Sequence, residues 1–194
     1  MTLWQSTDPA VWREDLERYS ATIDSQGVTK LPELDRWYRD DLPAAMAART
    51  DAHVTRDELV QLTEWKMARG VWRAPNLVLV RGNDADEVKT VSEAALASIP
   101  HPTAPISALA RLHGVGPATA SAVAAAAAPG LYPFFDELVA AQVPALGKVA
   151  WTLGYYAKYA TALRERAAAL GGKWTPVLVE RALWSHAGGK TGTS

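Results

Sequence analysis

Cysteine is missing altogether from the 194 residues. Its absence excludes disulfides, thiolate metal sites, a thiol nucleophile and a cysteine-ligated iron–sulfur cluster. No long hydrophobic run is present either. The longest, Ala122 to Phe135, is interrupted by Pro129, Gly130 and Pro133, too short and broken to span a bilayer. Neither sign of charge dominates: 20 Lys+Arg face 21 Asp+Glu for a net charge of -1. That balance excludes a histone-like polycation but not a local basic face. The opening MTLWQSTDP has neither the basic nor the apolar region of a secretory signal. The expectation is a cytoplasmic protein, nucleoid-associated if bacterial, with no membrane partner.

What is present is an ordinary globular composition, 48% hydrophobic and 21% charged, enough for one large domain or two small lobes. The charge is unevenly spread. Residues 1–60 carry 7 basic and 12 acidic side chains, residues 61–136 carry 6 of each, and residues 137–194 carry 7 basic and 3 acidic. An acidic first third and a basic last third are what a polarised, anion-binding surface would give, or a fluctuation over such lengths.

Nearly every segment reads as helix. Asp8-Pro9 is an N-cap with proline at the first helical position, opening a helix to about Ile23. Pro32 opens another through Tyr38, and Pro43 a third through Arg49. Thr55 to Glu58 is a capping box for a helix ending at Gly70. Asn76 to Val80 (NLVLV) is the one run compatible with a strand. Asp84 caps a helix to about Ser98. The prolines of HPTAP (101–105) suggest a boundary between an N-terminal helical region, 1–100, and a second region, 101–187. That second region begins with a short helix (105–111), a turn (112–116) and an Ala-rich helix (117–128). Asp136 caps the next helix. Helices near 145–152 and 156–170 follow, and Thr175-Pro176 starts a last one through about His186. Residues 188–194 read as a disordered tail.

Two phosphate-loop look-alikes, Gly171-Gly172-Lys173 and Gly188-Gly189-Lys190-Thr191, lack the first glycine, which is Ala167 or Trp184, and follow no strand. Gly114-Val115-Gly116 follows a helix and so is no dinucleotide fingerprint. His53, His101, His113 and His186 show no metal-ligand spacing and read as surface or capping residues. Trp12, Trp37, Trp65, Trp151 and Trp184 read as helix core, a minority remaining open to base stacking.

The informative stretch is Ile106 to Asp136. A short helix ends in a turn whose Gly114 and Gly116 permit positive φ and a close backbone approach. Pro117 then opens a second helix, so its free first-turn amides and dipole suit an oxygen anion such as a DNA phosphate. Ala118, Thr119, Ala120 and Ser121 are small, and the hydroxyls of Thr119 and Ser121 offer donors. Upstream, Glu64 to Arg73 interleaves Lys66, Arg69 and Arg73 with Trp65 and Trp72. It reads either as a phosphate-contacting strip or as an amphipathic helix end with snorkelling cations. His113, Val115 and Lys148 complete the expected DNA contacts.

Leu112-His113-Gly114-Val115-Gly116-Pro117-Ala118-Thr119-Ala120 resembles the hairpin of the helix-hairpin-helix DNA-binding motif. Downstream, Pro129-Gly130-Leu131-Tyr132-Pro133-Phe134-Phe135-Asp136 resembles the Gly/Pro-rich loop and aspartate of the DNA glycosylase superfamily built on that motif. The distance between hairpin and aspartate agrees with that family. Val179 to Trp184 resembles its closing helix. The resemblance implies an all-α, two-lobed fold with a cleft between the lobes. The hairpin would grip double-stranded DNA without sequence preference, and the protein would act as a monomer. The main-chain carbonyls of Ala110, Leu112 and Val115 would hold a sodium or potassium ion, with no other cofactor. Asp136 would stand at the mouth of a base pocket, stabilising the sugar cation that forms as an N-glycosidic bond breaks, or activating water. Tyr132, Phe134, Phe135, Tyr155 and Tyr156 are the aromatic candidates for receiving a flipped base.

The sequence departs from the family in three places. Ala118 stands where bifunctional members carry a nucleophilic lysine, so the expected enzyme is monofunctional and leaves an intact abasic strand. The cluster cysteines are absent. Glu137-Leu138 follows the aspartate in place of Thr-His. Asp136 is also an ordinary N-cap, which keeps open a non-catalytic DNA-binding module, or a scaffold with a vestigial hairpin.

Overall fold

Local capping chemistry sets half of the α-helix starts. Asp8 accepts the Ala10 amide, Asp84 the amides of Asp86 and Glu87, and Thr175 the amide of Leu178, each meeting donors that the first turn leaves without a helical partner. The computed structural model describes residues 2–190, and among these every regular element is helical. After a 3-10 turn (Leu3–Gln5), α1 (Pro9–Glu17) and α2 (Tyr19–Ser25) divide the helix expected as one, breaking at Arg18. α3 (Leu31–Arg36) passes through a π-helical turn (Trp37–Asp41) into α4 (Leu42–Ala47). Then come α5 (Arg56–Arg69), α6 (Ala74–Arg81) and α7 (Ala85–Ala97). α8 (Ala104–Leu109) and α9 (Pro117–Ala127) flank the glycine turn, followed by the short α10 (Glu137–Ala140). A 3-10 turn (Pro144–Leu146), α11 (Leu153–Leu170) and α12 (Pro176–His186) complete the chain.

NLVLV is helical, not a strand. Pro75 begins α6, Leu77 and Val80 face inward, and Val78 and Leu79 are exposed. Short apolar runs do not separate the two structures by period alone.

Packing crosses the connection near 101–105, where a boundary between two regions is expected. α7 packs on α8 across that connection, while α1 reaches the far end of the chain to pack on α12. One hydrophobic cluster runs from Leu3 to Trp184. α9 is buried along its length, Ala118 to Ala126, and touches α4, α5 and α8. Its alanines allow that close approach on several sides. The tail expected to be disordered from residue 188 is placed through Lys190: the Gln26 side-chain amide donates to the Gly188 carbonyl at 3.2 Å, and Gly189 is buried. Residues 191–194 lie outside the described residues. No helix among the described residues is long and apolar enough to cross a membrane.

Candidate functional site

The turn between α8 and α9 is held from outside the segment that resembles the hairpin. Asn83, buried in the α6–α7 turn, accepts the His113 amide at 2.8 Å and donates to the His113 carbonyl at 2.9 Å. Its side chain also donates to the Val80 carbonyl, so one amide ties the end of α6 to the glycine turn. Gly114 takes a φ of +75° and lies against α6, where a Cβ would meet Val80 Cγ2 at 2.8 Å and the Asn76 carbonyl at 2.9 Å. Gly116 differs from the expectation. Its φ of -97° is open to any residue, and nothing stands within 4 Å of a Cβ built there. No side chain caps α9, so the amides of its first turn are left to an external acceptor.

The loop bearing Asp136 is fixed from beneath. The hydroxyls of Tyr156 and Tyr159 donate to the carbonyls of Pro133 and Phe134 at 3.2 and 2.6 Å, and Tyr132 donates to that of His101. Burial pushes the Tyr156 and Tyr159 phenols up, so both stay protonated donors. Ser121 is not a phosphate donor: its buried hydroxyl donates to the Ala118 carbonyl and accepts the Phe135 amide at 2.8 Å. Asp136 itself caps α10, Oδ1 accepting the amides of Leu138 and Val139.

These pieces meet. A cavity of about 260 Å³ lies between the α5 C-terminus, the glycine turn and Asp136. Of the expected site residues, Lys66, Arg69, Arg73, Gly114, Gly116, Ala118, Thr119 and Asp136 line it. His113, Val115 and Lys148 do not; Lys148 is exposed on the loop after the second 3-10 turn. Arg69 is also a correction as a phosphate contact. Its side chain is 2% exposed, paired with the equally buried Glu180, and its guanidinium lies among the rings of Tyr19, Trp65, Phe134 and Trp184. Trp65 is core, stacked on Tyr38 at 3.6 Å, whereas Trp72 is exposed. Phe134 and Phe135 reach the cavity from the core, while Tyr132, Tyr155 and Tyr156 do not line it.

Sequence reasoning missed Asn83 and Tyr159, and it gave Tyr132 and Tyr156 to the base pocket and Trp151 to a helix. Trp151 is not on a helix; it is half exposed at the cavity, packed on Phe135 at 4.8 Å. Lys190 and Glu137 also reach the cavity. Its ionisable lining therefore combines four basic residues with two acidic ones. A larger depression of about 870 Å³ is framed by α3, α5 and Arg81. There Arg36 pairs with Asp41, Arg56 with Asp57 and Arg81 with Glu64, so its charges cancel locally.

No cluster of His, Asp or Glu able to hold a metal occurs among the described residues. His101 is a cap, accepting the amides of Thr103 and Ala104 at the start of α8. In the glycine turn the Leu112 carbonyl accepts the Val115 amide, whereas those of Ala110 and Val115 accept no backbone hydrogen bond among the described residues. No protein-family model, curated protein or solved structure matches this chain, so the cleft is interpreted from its own residues.

Proposed function

We propose that this is a DNA-binding protein of the helix-hairpin-helix, glycosylase-like kind, a monofunctional enzyme that hydrolyses the N-glycosidic bond of a modified base. The observation that carries the reading is the shared cavity: Asp136, the open face of Gly116 and the first turn of α9 line one space with a basic majority. A phosphodiester resting on the α9 amides would meet a positive helix end with no side chain in the way. A nucleotide turned out of the duplex beside it would bring its sugar to Asp136. Oδ1 is engaged in capping, which leaves Oδ2 for the developing sugar cation or for water. The two uncommitted carbonyls of the turn, with that of Leu112, would hold a monovalent cation, whose charge would draw the phosphate closer. A duplex DNA substrate would go with the cytoplasmic location expected from the sequence.

The test is a panel of duplexes with alkylated, deaminated or oxidised bases, scored for alkali-dependent breaks. Wild type is expected to release at least one base and leave an intact abasic strand, since Ala118 supplies no lysine. Asp136→Asn should keep duplex affinity and lose release. Asparagine is as good a cap as aspartate, so the substitution should cost about 1 kcal/mol or less. Release by Asp136→Asn equal to wild type would refute the catalytic role. The capping bonds favour a second reading, a non-catalytic DNA-binding module. It predicts salt-sensitive duplex binding with no release from any duplex.

A further inference from the structure

Lys66, a candidate phosphate contact in the sequence, lines the cleft from α5 and not from the glycine turn. It is half buried on the last turns of α5, where it lines the cavity with Asp136, and no carboxylate lies within ion-pair distance of it among the described residues. A half-buried ammonium without an ion-pair partner is costly, and its presence in the same lining as Asp136 gives the cavity an ammonium as well as a carboxylate. Resting on the base-excision reading, we infer that Lys66 is the acid that protonates the departing base, so that the enzyme acts on neutral, carbonyl-bearing bases and not on cationic alkylated ones.

The chemistry is balanced across these two groups. The C1′–N bond breaks, its electron pair stays with the base, and Lys66 Nζ delivers the proton the base gains. Water adds to C1′, its proton passing to Asp136 and then to solvent, and Lys66 recovers its proton from solvent. An oxidised or deaminated base leaves as an anion and needs that donor. A base alkylated to a fixed cation leaves neutral, needs no proton, and on entry faces Lys66 and Arg73 as like charges. Burial lowers the Lys66 pKa below the ordinary lysine value, Arg73 adds to this and Asp136 opposes it, which makes Lys66 a stronger acid than a solvated amine. Arg69, held by Glu180, together with Glu137 and Lys190, completes the charged lining.

The experiment compares single-turnover release of 8-oxoguanine and hypoxanthine with that of 7-methylguanine, the cationic base, by wild type, Lys66→Met and Lys66→Arg, each checked for fold by circular dichroism. Wild type should favour a neutral base. Lys66→Met should lose release of that base by about 100-fold, the lower range for general acid catalysis, with 7-methylguanine release unchanged or raised. The wild-type rate on the neutral base should fall as pH rises through a value below the ordinary lysine range of about 10.4. Lys66→Arg should shift that fall upward. Equal loss on both classes, a wild-type preference for 7-methylguanine, or a borohydride-trapped adduct at Lys66 would each overturn the assignment while leaving base excision standing. Absence of release from every duplex by wild type would overturn both.

Discussion

At the scale of single residues, two glycines that read alike in the sequence have different jobs. Gly114 needs to be glycine for the fold, because its left-handed backbone and the contact with α6 leave no room for a Cβ. Gly116 has ordinary backbone angles and open space, so its lack of a side chain matters only to something outside the chain. Gly114→Ala is expected to destabilise by about 3 kcal/mol, from backbone strain together with overpacking, measured by urea unfolding. Gly116→Val should cost about 1 kcal/mol, the loss of a good N-cap residue, and keep the fold, yet abolish duplex binding in fluorescence anisotropy. Wild-type affinity in Gly116→Val would remove the α9 N-terminus from the contact surface. The Gly-Val-Gly pattern is legible as a turn. The division of labour is not, because α6 and Asn83 that create it lie some 30 residues upstream.

Among the elements, helix starts are the most legible, since a cap and the amide it accepts sit within three residues. The α5 capping box joins a longer-range partner. Glu58 accepts the Thr55 amide at 2.9 Å and holds Arg49 through two hydrogen bonds of 2.6 and 2.9 Å. Burial pushes the Glu58 carboxyl up, but Arg49 and Thr55 together hold it below its ordinary value. A carboxylate lowered in the folded state contributes stability above the unfolded pKa and loses it as pH falls through the folded one. Glu58→Gln keeps the cap acceptor but not the charge. It should be less stable than wild type by about 1–2 kcal/mol at neutral pH, typical of a hydrogen bond to a charged group. That gap should close as pH drops below about 4.3, the usual glutamate value. A gap constant from pH 7 to 3 in thermal unfolding would show that the Glu58 charge adds nothing. Two expectations fail at this scale for opposite reasons. NLVLV is too short for its period to decide, and Trp151, expected on a helix near 145–152, lies between the 3-10 turn Pro144–Leu146 and α11.

Over the whole molecule, composition marks candidate joints such as 101–105 but not which distant helices meet. The closure runs from α1 to α12, and its deepest polar link joins α5 to α12 through Arg69 and Glu180. That link also stands behind the cavity, which Arg69 lines. Burial pushes the Glu180 carboxyl up to about 7 even with Arg69 beside it. Desolvation thus works against the attraction within the pair, as in buried ion pairs generally. What the pair sets is the cost of breaking it. Arg69→Met would leave the Glu180 carboxyl buried without its partner and should destabilise by about 3–5 kcal/mol. Joining it with Glu180→Leu removes both polar groups. The double variant should recover most of that loss, because a buried pair replaced by apolar residues of similar volume is often neutral. Urea unfolding of the two single variants and the double closes the thermodynamic cycle. Additive losses would mean that the two side chains act independently and that apolar packing alone joins α5 to α12. A recovered double variant with a displaced Asp136, seen as lost base release at full stability, would show that the pair is kept to position the cleft and not to hold the fold.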